Sequence, residues 1–417
     1  MGRVHLKIAL VTPGFNPGNF GLVETVVESH ARALAGLGHE VRVVTGGLEP
    51  EAEDLWHNEI MAGLDVRRLD LSLGARSDSG PWVEAVGDVD VCHVQHTSEL
   101  PMDLVRTLAR RLPVAMTQFD FFPSCASYFR QPGVGQEECI ETRGLESGHS
   151  ACEPSVISGS TEPSGPLARN LQDRRSEAQA EIDAARLVIF PSRTHLVRLA
   201  DHLILDPAHT RILAPGLCKD FSSSVVRPAP WLGQGPLRVL HFGRRSRDRG
   251  SLDLVRALAP LADREIELIC MGPEAHEGVD SELLELRGNL RVRILGKFDA
   301  RSLQRIARTC HVAAFPNRHP SGYSLAIDEA LAMGLPVMAS ECGAATERFG
   351  HGPVQSLPAA DIPAWTQAFQ QLLKQPDRLT QAFVALPESV TSATEVAERL
   401  EQHYRRILKG AAARRAS

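Results

Sequence analysis

The chain has 417 residues, 43% hydrophobic and 23% charged, with 45 Lys and Arg against 51 Asp and Glu for a formal net charge of −6. That composition excludes disordered and fibrous classes, and the mildly acidic balance speaks against a protein that coats nucleic acid, so no nucleic-acid partner is expected. No apolar run approaches the ~18 residues a membrane-spanning helix needs, and eight dispersed cysteines do not make a secreted disulfide framework. The opening Met-Gly-Arg-Val-His-Leu carries no cleavable signal region, and Leu6 stands where a myristoylation signal wants Ser or Thr. The expectation is a two-domain globular protein of the cytoplasm.

In chain order, Ile8–Val11 is a short apolar run without alternation, as in a strand buried on both faces. A Gly-, Pro- and Asn-rich loop, Pro13 to Gly21, leads to Val23, Val26, Val27, Ala31 and Leu34, whose three-and-four spacing predicts an amphipathic helix. Gly36 and Gly38 stop it before a strand at Val41–Val44. The unit recurs at 90–94, 102–111 and 114–117, and again at 187–190 with a helix around 194–202. Residues 123–167 lack periodicity and read as an insertion, and residues 222–236 read as an interdomain linker. Alternation then restarts with strands at 237–242, 266–270, 292–295, 312–315 and 336–340 and a helix at 251–262.

This pattern predicts an α/β protein of two doubly wound, Rossmann-like domains, with ligands in a cleft at the carboxyl ends of the strands. The boundaries are 1–221 for the first domain, 237–392 for the second, and 393–417 for a closing helix and basic tail.

Two stretches could carry chemistry. In Pro316 to Ser324, a Gly322-Tyr323-Ser324 turn feeds a helix from about Leu325, whose first amides suit a phosphate; Glu329 one turn on could reach sugar hydroxyls, or could be a plain surface carboxylate. In His241 to Gly250, four arginines (244, 245, 247 and 249) lie in a Gly-bounded loop that could neutralise a diphosphate or simply be solvated.

These residues resemble the retaining, nucleotide-sugar-dependent GT-B glycosyltransferases of family 4. Gly21-Leu22-Val23-Glu24, with Gly38-His39-Glu40-Val41 fourteen residues later, is similar to the family's first loop and its sequel. Asp88 to His93, Pro191-Ser192, Phe242-Gly243-Arg244 with Arg249-Gly250, Ser321 to Glu329 over a Glu-x7-Glu motif, and Gly343 to Glu347 follow in order. The resemblance implies that Glu329 binds the nucleotide ribose and that Arg244 and Arg249 stabilise the departing diphosphate. It also implies that Gly322, Tyr323, Ser324 and Leu325, with Ser321, Gly243 and Gly21, lie near the donor. No catalytic metal is implied, since arginines and helix termini offset the charge.

The chain departs from the pattern at Ser321 (for the first Glu), Phe119 (for a His before Asp120), Leu22, Arg249 (for Lys) and Ala344. Asp120 remains as a catalytic candidate. Asp120-Phe121-Phe122-Pro123-Ser124-Cys125 resembles a subset of the family with further cysteines downstream, and Cys125, Cys139, His149 and Cys152 could form a structural zinc site or be free thiols and an exposed His. Cys218, Cys270, Cys310 and Cys342 read as small core residues. His39 reads as structural, and His93 and His96 as groups that could approach an acceptor.

The expected activity is transfer of a sugar from a nucleotide-diphosphate sugar to a small-molecule, glycan or lipid-linked acceptor. The tail carrying Arg405, Arg406, Lys409, Arg414 and Arg415 could touch anionic lipid at a membrane surface. The rivals are a catalytically inactive protein of the same fold acting as a nucleotide- or glycan-binding or assembly partner, and a nucleotide-sugar epimerase. A dehydrogenase is disfavoured because residues 18–24 lack Gly-x-Gly-x-x-Gly.

Overall fold

The computed structural model describes residues 5–16, 21–47, 56–71, 77–124, 171–219, 221, 228–348, 352 and 354–416. They divide into two compact units: unit 1 takes the described residues up to Cys218 together with those from Thr391 onward, and unit 2 takes those within Lys219–Val390.

Unit 1 runs β1 (Lys7–Gly14), α1 (Leu22–Gly36), β2 (Glu40–Gly47), β3 (Trp56–Met61), β4 (Leu64–Asp70), α2 (Ser79–Val86), β5 (Val91–Val94), α3 (Leu104–Ala109), β6 (Val114–Thr117), α4 (Leu171–Ala184), β7 (Leu187–Phe190), α5 (Arg193–Ala200) and β8 (Thr210–Ile212). Its sheet has the order β3-β4-β2-β1-β5-β6-β7-β8. Every pairing is parallel except the β3–β4 hairpin, which turns through Ala62 and Gly63, both at positive φ as a tight hairpin with right-handed twist requires. The central strands are buried on both faces, which is why they read as unbroken apolar runs.

Unit 2 runs β9 (Leu237–Phe242), α6 (Ser251–Leu258), β10 (Ile266–Met271), α7 (Val279–Leu286), β11 (Arg291–Leu295), α8 (Ala300–Ala307), β12 (Val312–Phe315), α9 (Leu325–Ala332), β13 (Val337–Ser340), β14 (Val354–Leu357), α10 (Ile362–Lys374) and α11 (Asp377–Val384). Its all-parallel sheet has the order β11-β10-β9-β12-β13-β14. Connections leaving β9, β12 and β13 therefore emerge side by side at one edge, where open α/β sheets bind ligands. Within the stretch read as a linker, residues 228–236 are described, and Trp231 packs into the core of unit 2, its indole N–H donating to Gly235 O at 3.0 Å.

The last helix, α12 (Ala393–Ala416), belongs to unit 1. Val396, Ala397, Leu400 and Tyr404 join Ile8, Leu10, Val27 and Leu34 in one cluster. Tyr404 is fully buried, with its hydroxyl 2.7 Å from His93 Nδ1, while His93 Nε2 lies 2.8 Å from Thr117 Oγ1. His39 faces Glu401 at 3.6 Å. His93 is thus a packed link between sheet and helix and not a group offered to an acceptor; the sequence showed only that it ends a strand. Among the described residues no helix is long and apolar enough to cross a membrane.

Candidate functional site

The arginine loop of unit 2 is held from below by His241. This buried imidazole bonds Ala314 O through Nδ1 (2.8 Å) and Ser251 Oγ through Nε2 (2.9 Å). The Ser251 hydroxyl accepts from Ser246 N, and the Ser246 hydroxyl accepts from Arg249 N, both at 3.2 Å. Burial lowers the His241 pKa to about 4, so the ring is neutral near pH 7 and acts as a fixed strut.

The four arginines are not equivalent. Arg245 is buried, bidentate to Asp280 (2.6 Å through both Nε and Nη2) and bonded to Gly272 O. Arg247 pairs with Glu282. Arg244 and Arg249 carry no side-chain hydrogen bond or ion pair to the described residues, and Arg249 lies within electrostatic reach of both Asp248 and Arg244. Two like charges with no hydrogen-bonded counterion among the described residues suit an anion site.

Glycines let the neighbouring loops close on this one. Gly250 caps α6 at φ +71, and a Cβ there would lie 1.9 Å from Pro316 O; Gly343 has φ +57, and a Cβ would lie 2.4 Å from Ser321 N. Arg318 N donates to Asp248 O (2.9 Å), Ala344 N donates to Ser321 O (2.9 Å), and the Cys342 thiol donates to Asn317 O and His319 O. Gly250→Ala should cost roughly 1–2 kcal/mol for the left-handed backbone alone, with displacement of the Pro316 carbonyl added. Urea unfolding of the variant checks this, and an unchanged midpoint would contradict the packing described.

The turn itself leaves amides open. Among the described residues, Gly322, Tyr323, Ser324 and Leu325 N–H groups have no acceptor, and the N-cap Ser324 makes no capping bond. Tyr323 points its ring inward: its hydroxyl donates to Asp328, and Arg348 bonds both. Ser321 is half-buried, with its backbone braced by Gly343 and Ala344.

Glu329 is not a surface carboxylate. It is 3% exposed and accepts a hydrogen bond from Lys219 Nζ at 2.6 Å. Burial pushes its carboxyl up, and the Lys219 charge pulls the other way. Lys219 also lies 5.5 Å from the Phe298 ring. Sequence reasoning did not identify Lys219, because 110 residues separate it from Glu329. It also missed His319, which is buried 3.6 Å from Asp248 and lowered to about 4 by burial and then by Arg249.

In unit 1, Asp120 follows β6. One carboxylate oxygen accepts from Phe122 N at 2.9 Å, and the other lies 3.2 Å from His96 Nε2. Burial raises the Asp120 carboxyl, against the pull of His96. His96 follows β5, the neighbouring strand, so an imidazole reaches Asp120 from the side although Phe119 holds the preceding position. Phe119 is buried. Gly21 caps α1, with the Glu24 carboxylate folded back over it. Cys92, Cys270 and Cys310 are buried, whereas Cys218 and Cys342 are half-buried. The four zinc candidates, Cys125, Cys139, His149 and Cys152, lie outside the described residues.

Two family models match in succession, Glycosyltransferase Family 4 over residues 23–221 and Glycosyl transferases group 1 over residues 236–375. The chain belongs to the GT-B glycosyltransferases of family 4. It is similar to a D-inositol 3-phosphate glycosyltransferase of Gordonia bronchialis, with 26% identity over 220 residues. That match spans 49% of this chain and 48%, about half, of the relative. Solved structures share the two-domain fold. Sucrose-phosphate synthase of Thermosynechococcus elongatus has a TM-score of 0.67 at 18% identity, covering 97% of this chain and 99% of that one. The HepE protein of Anabaena in complex with UDP and glucose has a TM-score of 0.61 at 15% identity, covering 99% and 100%.

Proposed function

We propose that this family 4 member is a retaining glycosyltransferase that uses a nucleotide-diphosphate sugar and delivers the sugar to a small-molecule, glycan or lipid-linked acceptor. The observation that carries the reading is the grouping in unit 2 of two uncommitted arginines, Arg244 and Arg249, with the open amides of 322–325 at the ends of adjacent strands. Transfer breaks the bond from the anomeric carbon to the diphosphate oxygen and forms one to the acceptor oxygen, and the acceptor proton ends on the diphosphate. Negative charge grows on the leaving group, where guanidinium and amide donors gain most. The reading assigns this role to those donors and none to a metal.

Glu329 would take the ribose hydroxyls on the carboxylate edge that Lys219 does not use. Asp120, with His96, would stand at the sugar end on unit 1. Titration calorimetry with UDP, GDP and ADP and their sugar conjugates tests the reading. Glu329→Gln should weaken the preferred nucleotide by about tenfold or more, since a hydrogen bond to a charged group contributes roughly 1.5–3 kcal/mol. If no nucleotide binds the folded protein, the reading fails.

The second reading is a non-catalytic nucleotide-binding protein of this fold, favoured by Ser321 and Phe119, which bring neither carboxylate nor imidazole. It expects binding without release of the donor sugar across an acceptor panel. His96→Ala separates the two: in a transferase it should lower turnover while leaving nucleotide affinity unchanged.

A further inference from the structure

In unit 1, β8 is a three-residue edge strand, and a cavity of about 150 Å³ lies between its approach and the helix α12. Arg186, His209, Arg211, His403 and Arg406 line it, with no carboxylate among the lining residues. Arg186 precedes β7, His209 and Arg211 bracket the start of β8, and His403 and Arg406 sit three apart on one face of α12.

One of these cations is fixed in place, and none of the three arginines has an acidic partner among the described residues. Arg211 donates to Pro207 O (2.9 Å), Thr210 O (2.6 Å) and Ala208 O (3.0 Å), so neutral carbonyls aim its guanidinium without cancelling its charge. Arg186 and Arg406 have no side-chain hydrogen bond or ion pair to the described residues. Among the described residues the acid in contact with the group is Asp206, 3.1 Å from His209 Nδ1. His403 is held below the usual imidazole range by burial, then by Arg406 and Arg211, which shows how closely these cations crowd.

Size and chemistry narrow the ligand. At about 150 Å³ the cavity falls short of the roughly 300 Å³ at which pockets hold a drug-sized molecule. The guanidinium forks of Arg186 and Arg406, with the Nε–H and second Nη2–H that Arg211 does not spend on carbonyls, suit a tetrahedral oxyanion with several acceptor oxygens. We propose that this cavity binds a phosphate group, carried by a soluble phosphorylated molecule or by the head group of an anionic lipid. The site is independent of the donor residues of unit 2.

The test uses the full chain and two probes: inorganic phosphate by calorimetry, and co-sedimentation with phosphatidylglycerol–phosphatidylcholine vesicles against phosphatidylcholine alone. Arg186→Gln/Arg406→Gln removes two cations whose side chains have no hydrogen bond or ion pair to the described residues, so folding should be retained. Arg249→Gln controls for phosphate taken up at the donor site, and Arg414→Gln/Arg415→Gln for the rest of the tail. The double variant in the cavity should weaken its phosphate binding on the order of tenfold or more, as loss of charge-assisted bonds requires, while Arg249→Gln keeps the binding that the cavity variant loses.

Vesicle binding that falls in the cavity variant and persists in the tail variant assigns the lipid source. Phosphate binding without vesicle binding assigns the soluble one. The proposal is overturned if neither probe binds the wild type, if the cavity variant binds both probes like wild type, or if only the tail variant loses binding.

Discussion

Arg249→Ala should slow sugar transfer by about 10²–10³-fold in kcat, the usual loss when one preorganised donor to a developing oxyanion is removed. Among the described residues the Arg249 side chain makes no hydrogen bond or ion pair, and Arg249 is tied to the loop through its backbone N–H, so truncation of the side chain removes an electrostatic neighbour of Asp248 and no hydrogen bond. The fold should persist, and nucleotide affinity should fall less than kcat because charge on the diphosphate rises as the bond breaks. Arg249→Lys, which keeps the charge and loses the fork, should recover part of the rate. Arg245→Ala is the contrasting case. It removes a buried partner of Asp280 and should cost roughly 3–5 kcal/mol of stability. A rate loss for Arg249→Ala that matches its loss in affinity would show an arginine that binds substrate and transition state alike, contrary to the role proposed.

Acid should destabilise unit 1 through its buried histidines. Burial lowers His30 to about 4, and His93 and His195 to about 3, from an ordinary 6.5. Between those values the unfolded chain holds a proton that the folded one does not. The stability from each neutral ring is fully present above about 6.5 and is lost as the pH falls toward 3–4, at about 1.4 kcal/mol per pH unit for each histidine. Glu181, pushed up to about 7 mainly by burial, works in the opposite sense, as does the raised Asp120. The net slope is therefore a difference, and the decisive measurement compares variants. Denaturant midpoints of His93→Gln and wild type should differ at pH 7.5, where the native hydrogen bonds are lost, and should converge as the pH falls to 5. Parallel pH profiles would overturn the assignment of His93 as a neutral buried ring.

The parallel strands were legible because burial on both faces leaves an unbroken apolar run, as in Val114–Thr117 and Val312–Phe315. The β3–β4 hairpin was not read, since Trp56–Met61 packs on one side only and its turn is an unremarkable Ala-Gly. The site divides along the same lines. Loop position and residue type identified Arg244, Arg249, Glu329 and the 322–325 turn as candidates. The sorting of arginines could not be seen, because whether Arg245 or Arg244 binds Asp280 depends on which way each side chain leaves the loop. The same holds for Lys219 with Glu329, His96 with Asp120, and Arg348 with Tyr323 and Asp328: each pair meets only through the tertiary fold.

The place of α12 has a consequence for the order of assembly. Its apolar face is part of the core of unit 1, yet the whole of Lys219–Val390 is synthesised before it. A nascent chain can complete unit 2 while unit 1 still exposes the groove around Ile8, Val27 and Leu34 to water and to other chains. Unit 1 on its own should consequently fold poorly as a fragment ending at Cys218 and recover when a segment covering Thr391 to Ala416 is supplied by a short fused linker. Unit 2, whose described residues all fall within Lys219–Val390, should need no such help.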